Sequence, residues 1–370
     1  MRVQYNYLNL EFKNTNSIFK EWKKLIKTTD FTLGAKMVEF EKKFSKYIGS
    51  KYCVSTNNGT DALILCLKSL GVKHGDEIIT VCNTFYATVG AIVACGAKPI
   101  LVDCDDRYQI NPKEIKKKIT SKTKVIIPVH WGGASPNMVE ILKIAKKNKI
   151  FVVEDACMGI GAKIFKKSPG TFGIVNAFSM HPLKSLNVMG DGGIVSTNNK
   201  KIYFWMKKYR NHGMINRDQN EIWGVNMRMQ PLQAIVALEG LKKLKTTIKK
   251  RNKNAKILDK GLKKLYPSVI IPRRIKGHTE TFALYMILVE KRDLLINFLN
   301  KKKIEAKIHY KIPLNKQKAS KIFNLDQKNF TIGNMQSKKL ITLPVHQFLK
   351  REQLNYMIKC VEEFYSSNNI

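Results

Sequence analysis

One lysine of this chain lies just ahead of a glycine cluster, downstream of a pair of acids. Lys184 precedes Gly190–Gly193, and Glu154 and Asp155 come earlier, at the end of the apolar run Ile150–Val153. A lysine amine can form a Schiff base with an aldehyde, and an acid can keep a pyridine nitrogen protonated so that the ring accepts electrons. These residue types in this order predict chemistry with pyridoxal 5'-phosphate, held covalently by Lys184 and paired with Asp155.

Each of these residues also has an ordinary interpretation. The chain contains 56 lysines, so a lysine close to glycines could simply be a solvated surface residue. Asp155 could be the N-cap of a helix that follows a strand, because Asp is common at such junctions. The prediction therefore depends on further matching features on both sides of the pair.

The basic charge of the chain raises the question of a nucleic-acid partner. Lys and Arg number 66 against 28 Asp and Glu, which gives a formal net charge of +38. However, only 10 of the 66 are arginine, the residue favoured for forked phosphate and base contacts. We therefore expect solvated lysine faces and no nucleic-acid partner; an even spread of lysines would exclude a binding groove. The lysines recur in Lys113–Lys118, Lys143–Lys149, Lys242–Lys250 and Lys301–Lys303.

The cysteines and the N-terminus indicate a cellular compartment. There are seven cysteines, an odd number, and no C-x-x-C pair occurs. This usage predicts buried free thiols in a reducing compartment, with neither disulfides nor a metal site. The N-terminus has no apolar targeting segment, and no apolar run approaches the ~18 residues of a membrane span. The sequence thus predicts a cytoplasmic protein without membrane attachment.

Short β-branched runs alternate with helical patterns between about residues 50 and 200. Such alternation predicts an α/β fold with a mostly parallel sheet covered by helices, and ligands beyond the C-terminal ends of the strands. The candidate strands are Lys51–Ser55, Glu77–Val81, Lys98–Val102, Lys124–Val129, Ile150–Val153, Asn176–Phe178 and Gly193–Ser196. The candidate helices are Asp61–Leu70, Thr84–Cys95, Asn111–Ile119 and Asn137–Asn148.

A long basic helix, about Gln230–Leu265, is predicted to lead into a second region. We expect a large domain of residues 1–250 and a smaller C-terminal α+β domain of residues 251–370. The segments that suggest the second domain are Thr281–Val289, Lys291–Asn300, Ala306–His309 and Arg351–Tyr365.

Candidate phosphate ligands follow the first predicted strand. Gly59 and Thr60 open a helix, where free backbone N–H groups and the helix dipole favour a phosphate. An ordinary turn explains the same residues equally well. Ser179, shortly before Lys184, could supply a further hydroxyl.

Aromatic residues follow two other predicted strands. Phe85 comes after Glu77–Val81, where a flat ring can stack on a flat cofactor, although an isolated Phe is more often a core residue. His130 and Trp131 end another apolar strand and are expected to point into the same crevice.

Together these features resemble the DegT/DnrJ/EryC1/StrS family of aminotransferases that act on nucleotide-linked keto sugars. The resemblance runs essentially from end to end, as a dozen short motifs in family order. The motifs are Phe31-Thr-Leu-Gly34, Asn58-Gly-Thr-Asp-Ala-Leu63, Gly75-Asp-Glu-Ile-Ile79, Asn83-Thr-Phe-Tyr-Ala-Thr88, Gly96-Ala-Lys-Pro99, Ile127-Pro-Val-His130, Glu154-Asp-Ala156, His181-Pro-Leu-Lys184, Gly190-Asp-Gly-Gly193, Arg210-Asn-His-Gly213, Gly224-Val-Asn-Met-Arg228, Leu232-Gln-Ala234, Ile308-His-Tyr310 and Leu343-Pro344.

The resemblance implies a fold-type I, pyridoxal phosphate-dependent enzyme, dimeric, with active sites built from both subunits. It implies Lys184 as the Schiff-base lysine and proton carrier, Asp155 as partner of the pyridinium nitrogen, and Phe85 as the stacking residue. It further implies an amino-acid donor, usually glutamate, and a nucleotide-linked keto sugar as acceptor. The phosphate ligands would be Gly59, Thr60, Ser179 and, from the neighbouring chain, Asn226, which could otherwise be a turn residue. The substrate contacts would be His130, His181, Arg228, His309 and Tyr310.

The chain departs from the family pattern at three positions. Met158 stands where glutamine usually bonds the phenolic oxygen of the cofactor, and a thioether is a poor hydrogen-bonding group. Met227 and Ser185 stand where serine and asparagine are common. These departures, with the charge, leave two alternatives open: another reaction with pyridoxal phosphate on a sugar, such as dehydration, or a non-catalytic, cofactor-bound regulator.

Overall fold

The computed structural model describes residues 1–323 and 330–367 of the chain. Its strands are β1 (Tyr52–Thr56), β2 (Glu77–Val81), β3 (Lys98–Val102), β4 (Thr123–Ile127), β5 (Phe151–Asp155), β6 (Lys163–Ile164), β7 (Val175–Ser179), β8 (Gly193–Thr197), β9 (Val269–Ile270), β10 (His278–Thr279), β11 (Tyr285–Val289) and β12 (Leu340–Leu343). Its α-helices are α1 (Leu8–Glu11), α2 (Asn16–Thr28), α3 (Ala35–Ile48), α4 (Gly59–Ser69), α5 (Tyr86–Ala94), α6 (Pro112–Lys118), α7 (Met138–Lys147), α8 (Lys200–Tyr209), α9 (Pro231–Leu262), α10 (Arg292–Lys301), α11 (Thr331–Lys339) and α12 (Arg351–Ser367).

The main sheet has the spatial order β1-β8-β7-β5-β4-β2-β3. Strands β7, β5, β4, β2 and β3 are parallel, and β8 runs antiparallel to both β7 and β1. Strand β1 therefore points in the same direction as the parallel strands. As a result, the segments that follow β1, β2, β5 and β7 all meet at one edge of the sheet. This confirms the predicted fold class.

Alternation along the strands explains why helices cover both faces of the sheet. Successive strand residues point to opposite faces. Val125 and Ile127 pack in the cluster that contains residues of α4 and α5. Ile126, between them, packs in the cluster that contains residues of α6 and α7. A strand buried on both faces reads as a continuous apolar run, which is what made these strands visible in the sequence.

Most strand ends lie within two residues of the predicted ones, and β2 and β3 begin and end where predicted. The fourth strand was expected to continue to Val129 but ends at Ile127. Pro128 follows, and because proline has no N–H it cannot continue the hydrogen-bonded ladder.

A second, antiparallel sheet has the order β12-β11-β9. It packs with α10, α12 and the C-terminal half of α9 around one core cluster, which also includes Val3 from the N-terminus. The predicted domain boundary at residue 250 lies inside the continuous helix α9. The division into residues 1–250 and 251–370 therefore stays a prediction.

Helix α9 begins at Pro231, after a capping box in which the Gln230 and Gln233 side chains bond each other's backbone N–H groups. Among the described residues, no helix is both long and apolar enough to cross a membrane.

Candidate active site

A cavity of about 260 Å³ opens at the edge of the main sheet where β1, β2, β5 and β7 end. Seven of the predicted cofactor ligands line it, and three of the predicted substrate contacts do so as well. The cofactor candidates are Gly59, Thr60, Phe85, Asp155, Met158, Ser179 and Lys184, and the substrate candidates are His181, His309 and Tyr310.

Asp155 is the last residue of β5 and is almost completely buried. Its Oδ2 accepts a hydrogen bond from Thr88 Oγ1 at 2.8 Å, and its Oδ1 accepts one from the Cys157 backbone N–H at 3.2 Å. A carboxylate has further lone pairs beyond these two bonds. Asp155 is therefore held in one orientation and can still accept a hydrogen bond from a group in the cavity.

Lys184 lies in the loop after β7 and is half-buried. The preceding residue, Leu183, has a φ of 71°, an uncommon conformation for a non-glycine residue. The Tyr7 hydroxyl lies 3.2 Å from the Leu183 carbonyl oxygen and 3.3 Å from that of Lys184, and it accepts a hydrogen bond from buried Arg251. The N-terminal segment thus holds the backbone from which Lys184 projects.

Burial lowers the pKa of Lys184 below its ordinary value, although nearby Cys157 and Asp155 oppose the shift. Desolvation disfavours the charged ammonium, so a larger fraction of the side chain is the neutral amine. The neutral amine is the form that attacks a carbonyl carbon and accepts a proton.

The opposite end of the cavity is formed by the first turn of α4. The Asn58 side chain caps this helix by accepting from the Asp61 N–H. The N–H groups of Gly59 and Thr60 are among the first four of the helix, which have no partner within it. A Cβ atom at Gly59 would lie 2.7 Å from Ser179 Cβ, so only glycine allows α4 and the end of β7 to approach this closely. The Ser179 hydroxyl and these N–H groups therefore converge, as a phosphate site requires.

An aromatic wall closes one side of the cavity. Phe85, the N-cap residue of α5, is 48% exposed and its ring centroid lies 5.8 Å from that of Tyr310. Tyr310 also contacts Trp131, with centroids 5.4 Å apart, and His309. Phe85 therefore faces open space beside the site and is not part of the core.

His130 does not lie in the cavity, contrary to the prediction that it contacts substrate. It is completely buried, its Nε2 donates to Glu154 Oε2 at 2.8 Å, and its Nδ1 lies 3.0 Å from Ser135 Oγ. Its neighbour Trp131 lines the cavity instead. Both ring nitrogens of His130 are already bonded, so we correct its role to a structural one.

Glu154 anchors the loop that joins β5 to β7. It accepts hydrogen bonds from the backbone N–H groups of Gly170, Phe172 and Gly173 at 2.6–2.9 Å. Burial alone would raise the pKa of Glu154, but the bonds from His130 and from the backbone lower it below its usual value. Of the two adjacent acids, one therefore holds the loop and the other faces the cavity, as alternation along β5 requires.

Asn226 and Arg228 lie outside the cavity of their own chain. The Asn226 side chain is exposed and accepts from Arg228 Nε at 3.0 Å, while Arg228 Nη1 donates to Asn211 Oδ1 at 2.9 Å. The surrounding segment exposes apolar side chains, with Trp223 at 90% and Ile215 at 59%. The role of Asn226 toward a neighbouring subunit stays a prediction, and Arg228 has no contact with the described cavity.

Of the three positions that depart from the family pattern, Met158 alone lines the cavity. Met227 is buried in the core cluster around α4, and the Ser185 hydroxyl donates to the Ile160 carbonyl oxygen at 2.6 Å. The expected effect of these departures on the cofactor is therefore concentrated at Met158.

Two residues of the site could not be recognised in the sequence. Thr88 bonds Asp155 from within α5, and Tyr5 lines the cavity with its ring centroid 6.1 Å from that of His309. Thr88 falls in the motif that also contains Phe85, and its position one helical turn after Thr84 was the available indication. Nothing near Tyr5 in the sequence indicates a site.

Cys82, Asp103 and Cys104 form a buried cluster whose side-chain atoms could hold a metal ion. The Asp103 carboxylate already accepts from the N–H groups of Ile332 and Gly333 at the start of α11, at 2.9 and 2.7 Å. We therefore assign Asp103 to the capping of that helix.

Comparison with known proteins decides the family. The sequence model of the DegT/DnrJ/EryC1/StrS aminotransferase family matches residues 13–362. The chain belongs to this family. Membership makes it an aminotransferase and agrees with the fold-type I architecture expected from the sequence.

Similar proteins cover nearly the whole chain. It is 32% identical to the pleiotropic regulatory protein of Geobacillus stearothermophilus, over 92% of each chain. It is also 32% identical to the dTDP-3-amino-3,6-dideoxy-alpha-D-galactopyranose transaminase of Aneurinibacillus thermoaerophilus, over 90% of this chain and 91% of that one.

Solved structures of the family superpose closely. DesV of S. venezuelae, in complex with a ketimine intermediate, matches with a TM-score of 0.93 and 28% identity over 98% of both chains. NtdA of Bacillus subtilis, with bound cofactor PMP, matches with a TM-score of 0.88 and 29% identity over 94% of this chain and 81% of that one. These structures support pyridoxal phosphate as the cofactor of this aminotransferase.

Proposed function

We propose that this aminotransferase transfers an amino group from an amino acid, with glutamate as the first candidate, to a keto group of a nucleotide-linked sugar. The product would serve amino-sugar, surface-polysaccharide or glycoside biosynthesis. The observation that carries the proposal is that Lys184 and Asp155 line the same cavity, between a phosphate-type helix terminus and an aromatic wall. The relative from Aneurinibacillus thermoaerophilus, a transaminase of a dTDP-linked sugar by name, supports the substrate class.

The residues present fit pyridoxal phosphate. The convergent N–H groups of Gly59 and Thr60, together with the Ser179 hydroxyl, fit its phosphate. The anchored carboxylate of Asp155 fits its pyridine nitrogen, and the exposed ring of Phe85 fits its flat face. When bound, the cofactor supplies a carbonyl that exchanges amino groups and a ring that accepts electrons.

Lys184 is the proposed covalent anchor and proton carrier. Its amine, with the lowered pKa, would release the carbonyl to the amino donor and then remain free in the cavity. As a neutral base it would take the proton from the donor carbon and deliver it to the cofactor. When the keto sugar enters, the same amine would act in the reverse order.

Asp155 is proposed to hold the ring proton throughout. Thr88 and the Cys157 N–H fix its two oxygens, so the carboxylate needs no rearrangement as charge develops on the ring. Such pre-organised groups stabilise the transition state more than flexible ones.

The sugar is proposed to enter on the aromatic side of the cavity. His309 and Tyr310 lie there, His181 lines the same cavity, and burial lowers the pKa of His309 to about 4. His309 is therefore neutral at physiological pH and offers hydrogen bonding without a positive charge. Its Nδ1 is 3.0 Å from Thr342 Oγ1, which leaves Nε2 for a ligand.

A second copy of the chain is proposed to complete each site. The exposed apolar side chains around Asn226 suit a protein interface. In such a homodimer Asn226 would reach the phosphate of the neighbouring site. A cytoplasmic location belongs to the same proposal.

The experiment that tests the proposal follows the fate of Lys184. Protein reconstituted with pyridoxal phosphate and treated with borohydride should carry the cofactor on the peptide that contains Lys184, as read by mass spectrometry. Lys184→Ala should bind cofactor only noncovalently and lose transamination. The variant Lys200→Ala, at an exposed lysine away from the cavity, is a matched control that should retain both properties. Near-normal turnover by Lys184→Ala would show that the assignment is wrong.

A non-catalytic regulator is the alternative, and the name of the Geobacillus stearothermophilus relative favours it. Incubation of the protein with glutamate and a panel of keto-sugar nucleotides distinguishes the enzyme from the regulator. Amino sugars detected by mass spectrometry support the enzyme. Protein that binds pyridoxal phosphate but takes an amino group from none of the donors supports the regulator.

A further inference from the structure

A second and larger groove, of about 1,580 Å³, runs along α9 and shares no residue with the active-site cavity. Helix α12 forms one wall, and the segment around Lys163 forms the other. Nine of the nineteen residues that line it are Lys or Arg, and none of those nineteen is Asp or Glu. The groove therefore gathers eight of the chain's lysines and one arginine along one surface.

Five of these cations form a stripe on α9. They are separated by four, four, three and four residues, spacings that place side chains on one face of a helix. At about 1.5 Å per residue the stripe extends over ~22 Å. All five are exposed. The stripe consists of Lys245, Lys249, Lys253, Lys256 and Lys260.

The acid beside the stripe does not neutralise it: Asp259, next to Lys260 in α9, pairs with Arg274 and not with a lysine of the stripe. Elsewhere the chain places a glutamate one turn away from a lysine, as in Lys24–Glu21, Lys43–Glu39 and Lys117–Glu114. No ion pair joins any lysine of the stripe to an acid within residues 1–323 and 330–367. Like charges at this spacing destabilise a helix.

The floor of the groove is apolar. Ile248, Ile257 and Ile358 line it, and the only aromatic and the only arginine among its lining residues are Tyr47 and Arg351. Single-stranded nucleic acids bind through stacking on aromatic rings, so this floor suits them poorly. A membrane surface is flat and would contact the lysines without reaching the isoleucines. A ligand that matches both features carries negative charges and apolar side chains.

We propose that this groove binds an acidic amphipathic helix of a partner protein. Its carboxylates, one per turn, would face the lysine stripe, and its apolar side chains would lie on the isoleucine floor. A helix of this kind matches the roughly one-turn spacing of the lysines. The partner is not a second copy of this chain, because none of its described helices carries two acids three or four residues apart.

The test uses a fluorescein-labelled helical peptide of Glu, Ala and Leu, with Glu at every fourth residue and Leu on the opposite face. Anisotropy should show salt-sensitive binding to the full-length protein, and a scrambled peptide of equal composition should bind much more weakly. The groove variant is Lys249→Gln/Lys253→Gln/Lys256→Gln. The control is Lys143→Gln/Lys146→Gln/Lys147→Gln, which removes equal charge from exposed, unpaired lysines of α7.

We expect the groove variant to weaken binding by about tenfold or more and the control by about twofold at most. The thermal midpoint of the groove variant should equal or exceed that of the natural protein, because the mutual repulsion between the stripe lysines is reduced. Equal losses in the two variants, or equal binding of the scrambled peptide, would mean that only diffuse charge is involved. Stronger groove-dependent binding of polyuridine or of phosphatidylserine vesicles would also overturn the assignment.

Discussion

Replacing Thr88 with valine should weaken the active site through Asp155 while leaving the fold intact. Thr88 is completely buried, and its hydroxyl donates to Asp155 Oδ2 at 2.8 Å. Valine has nearly the same shape but no donor. A hydrogen bond to a charged group contributes about 1.5–3 kcal/mol, and 1.4 kcal/mol corresponds to a factor of ten. Because the Cys157 N–H still holds Oδ1, we expect the lower end, about a tenfold loss.

The loss should appear in the affinity for pyridoxal phosphate, measured by equilibrium dialysis, and in the single-turnover rate with glutamate, measured by absorbance. Thr88→Ser keeps the hydroxyl and should recover most of both. Thr80→Val is the matched control, since Thr80 is equally buried but donates to the Ile127 carbonyl oxygen at 2.9 Å. If Thr88→Val loses stability like Thr80→Val but binds and reacts normally, Asp155 does not depend on Thr88 and the reasoning fails.

Three further outcomes can be checked. Mixing Lys184→Ala with Asn226→Ala subunits should place both lesions in one site of the heterodimer and leave the other intact; no recovered activity despite proven exchange would place Asn226 within its own chain. Met158→Gln should change the cofactor absorbance titration and the first half-reaction by on the order of 1 kcal/mol, because it adds a donor at the cavity wall; an unchanged titration would mean that Met158 never meets the cofactor. Burial lowers the pKa of His346 to about 4 from 6.5, so its contribution to stability is complete above pH 6.5 and is lost as pH falls toward 4; the free energy of unfolding of His346→Phe, measured by urea titration, should therefore fall less over that window than that of the natural protein, by up to about 3 kcal/mol.

The parts of the fold that local patterns determine were predictable. Strand runs such as Glu77–Val81 are buried on both faces, so every residue after Glu77 is apolar or hydroxyl-bearing and the strand ends are marked by turns. The convergence of Lys184 and Asp155 at one cavity also followed, because parallel strands share an edge. Their chemical roles stay predictions.

Contacts between distant parts of the chain were not predictable. Tyr5 and Tyr7 reach the site because the N-terminal segment packs beside the second sheet, with Val3 bridged to Ile304. No local sequence pattern indicates that the N-terminal segment packs beside the second sheet. The error at His130 has a different cause: at a strand end, adjacent residues point to opposite sides, and the sequence did not show that Trp131 takes the cavity side.

Helix α9 holds the lysine loop at two places. Gln233 donates to the Asp191 carbonyl oxygen, and Arg251 reaches the Leu183 and Lys184 carbonyls through Tyr7. Eighteen residues separate Gln233 from Arg251, which is five whole turns at 3.6 residues per turn and about 27 Å of helix. Gln233 and Arg251 therefore project from the same face of the helix, at a fixed distance from each other. Inserting one residue between them would rotate one of the two side chains by about 100° relative to the other and release one end of the lysine loop. The helix between Gln233 and Arg251 should therefore tolerate substitutions on its outer face but no change in length.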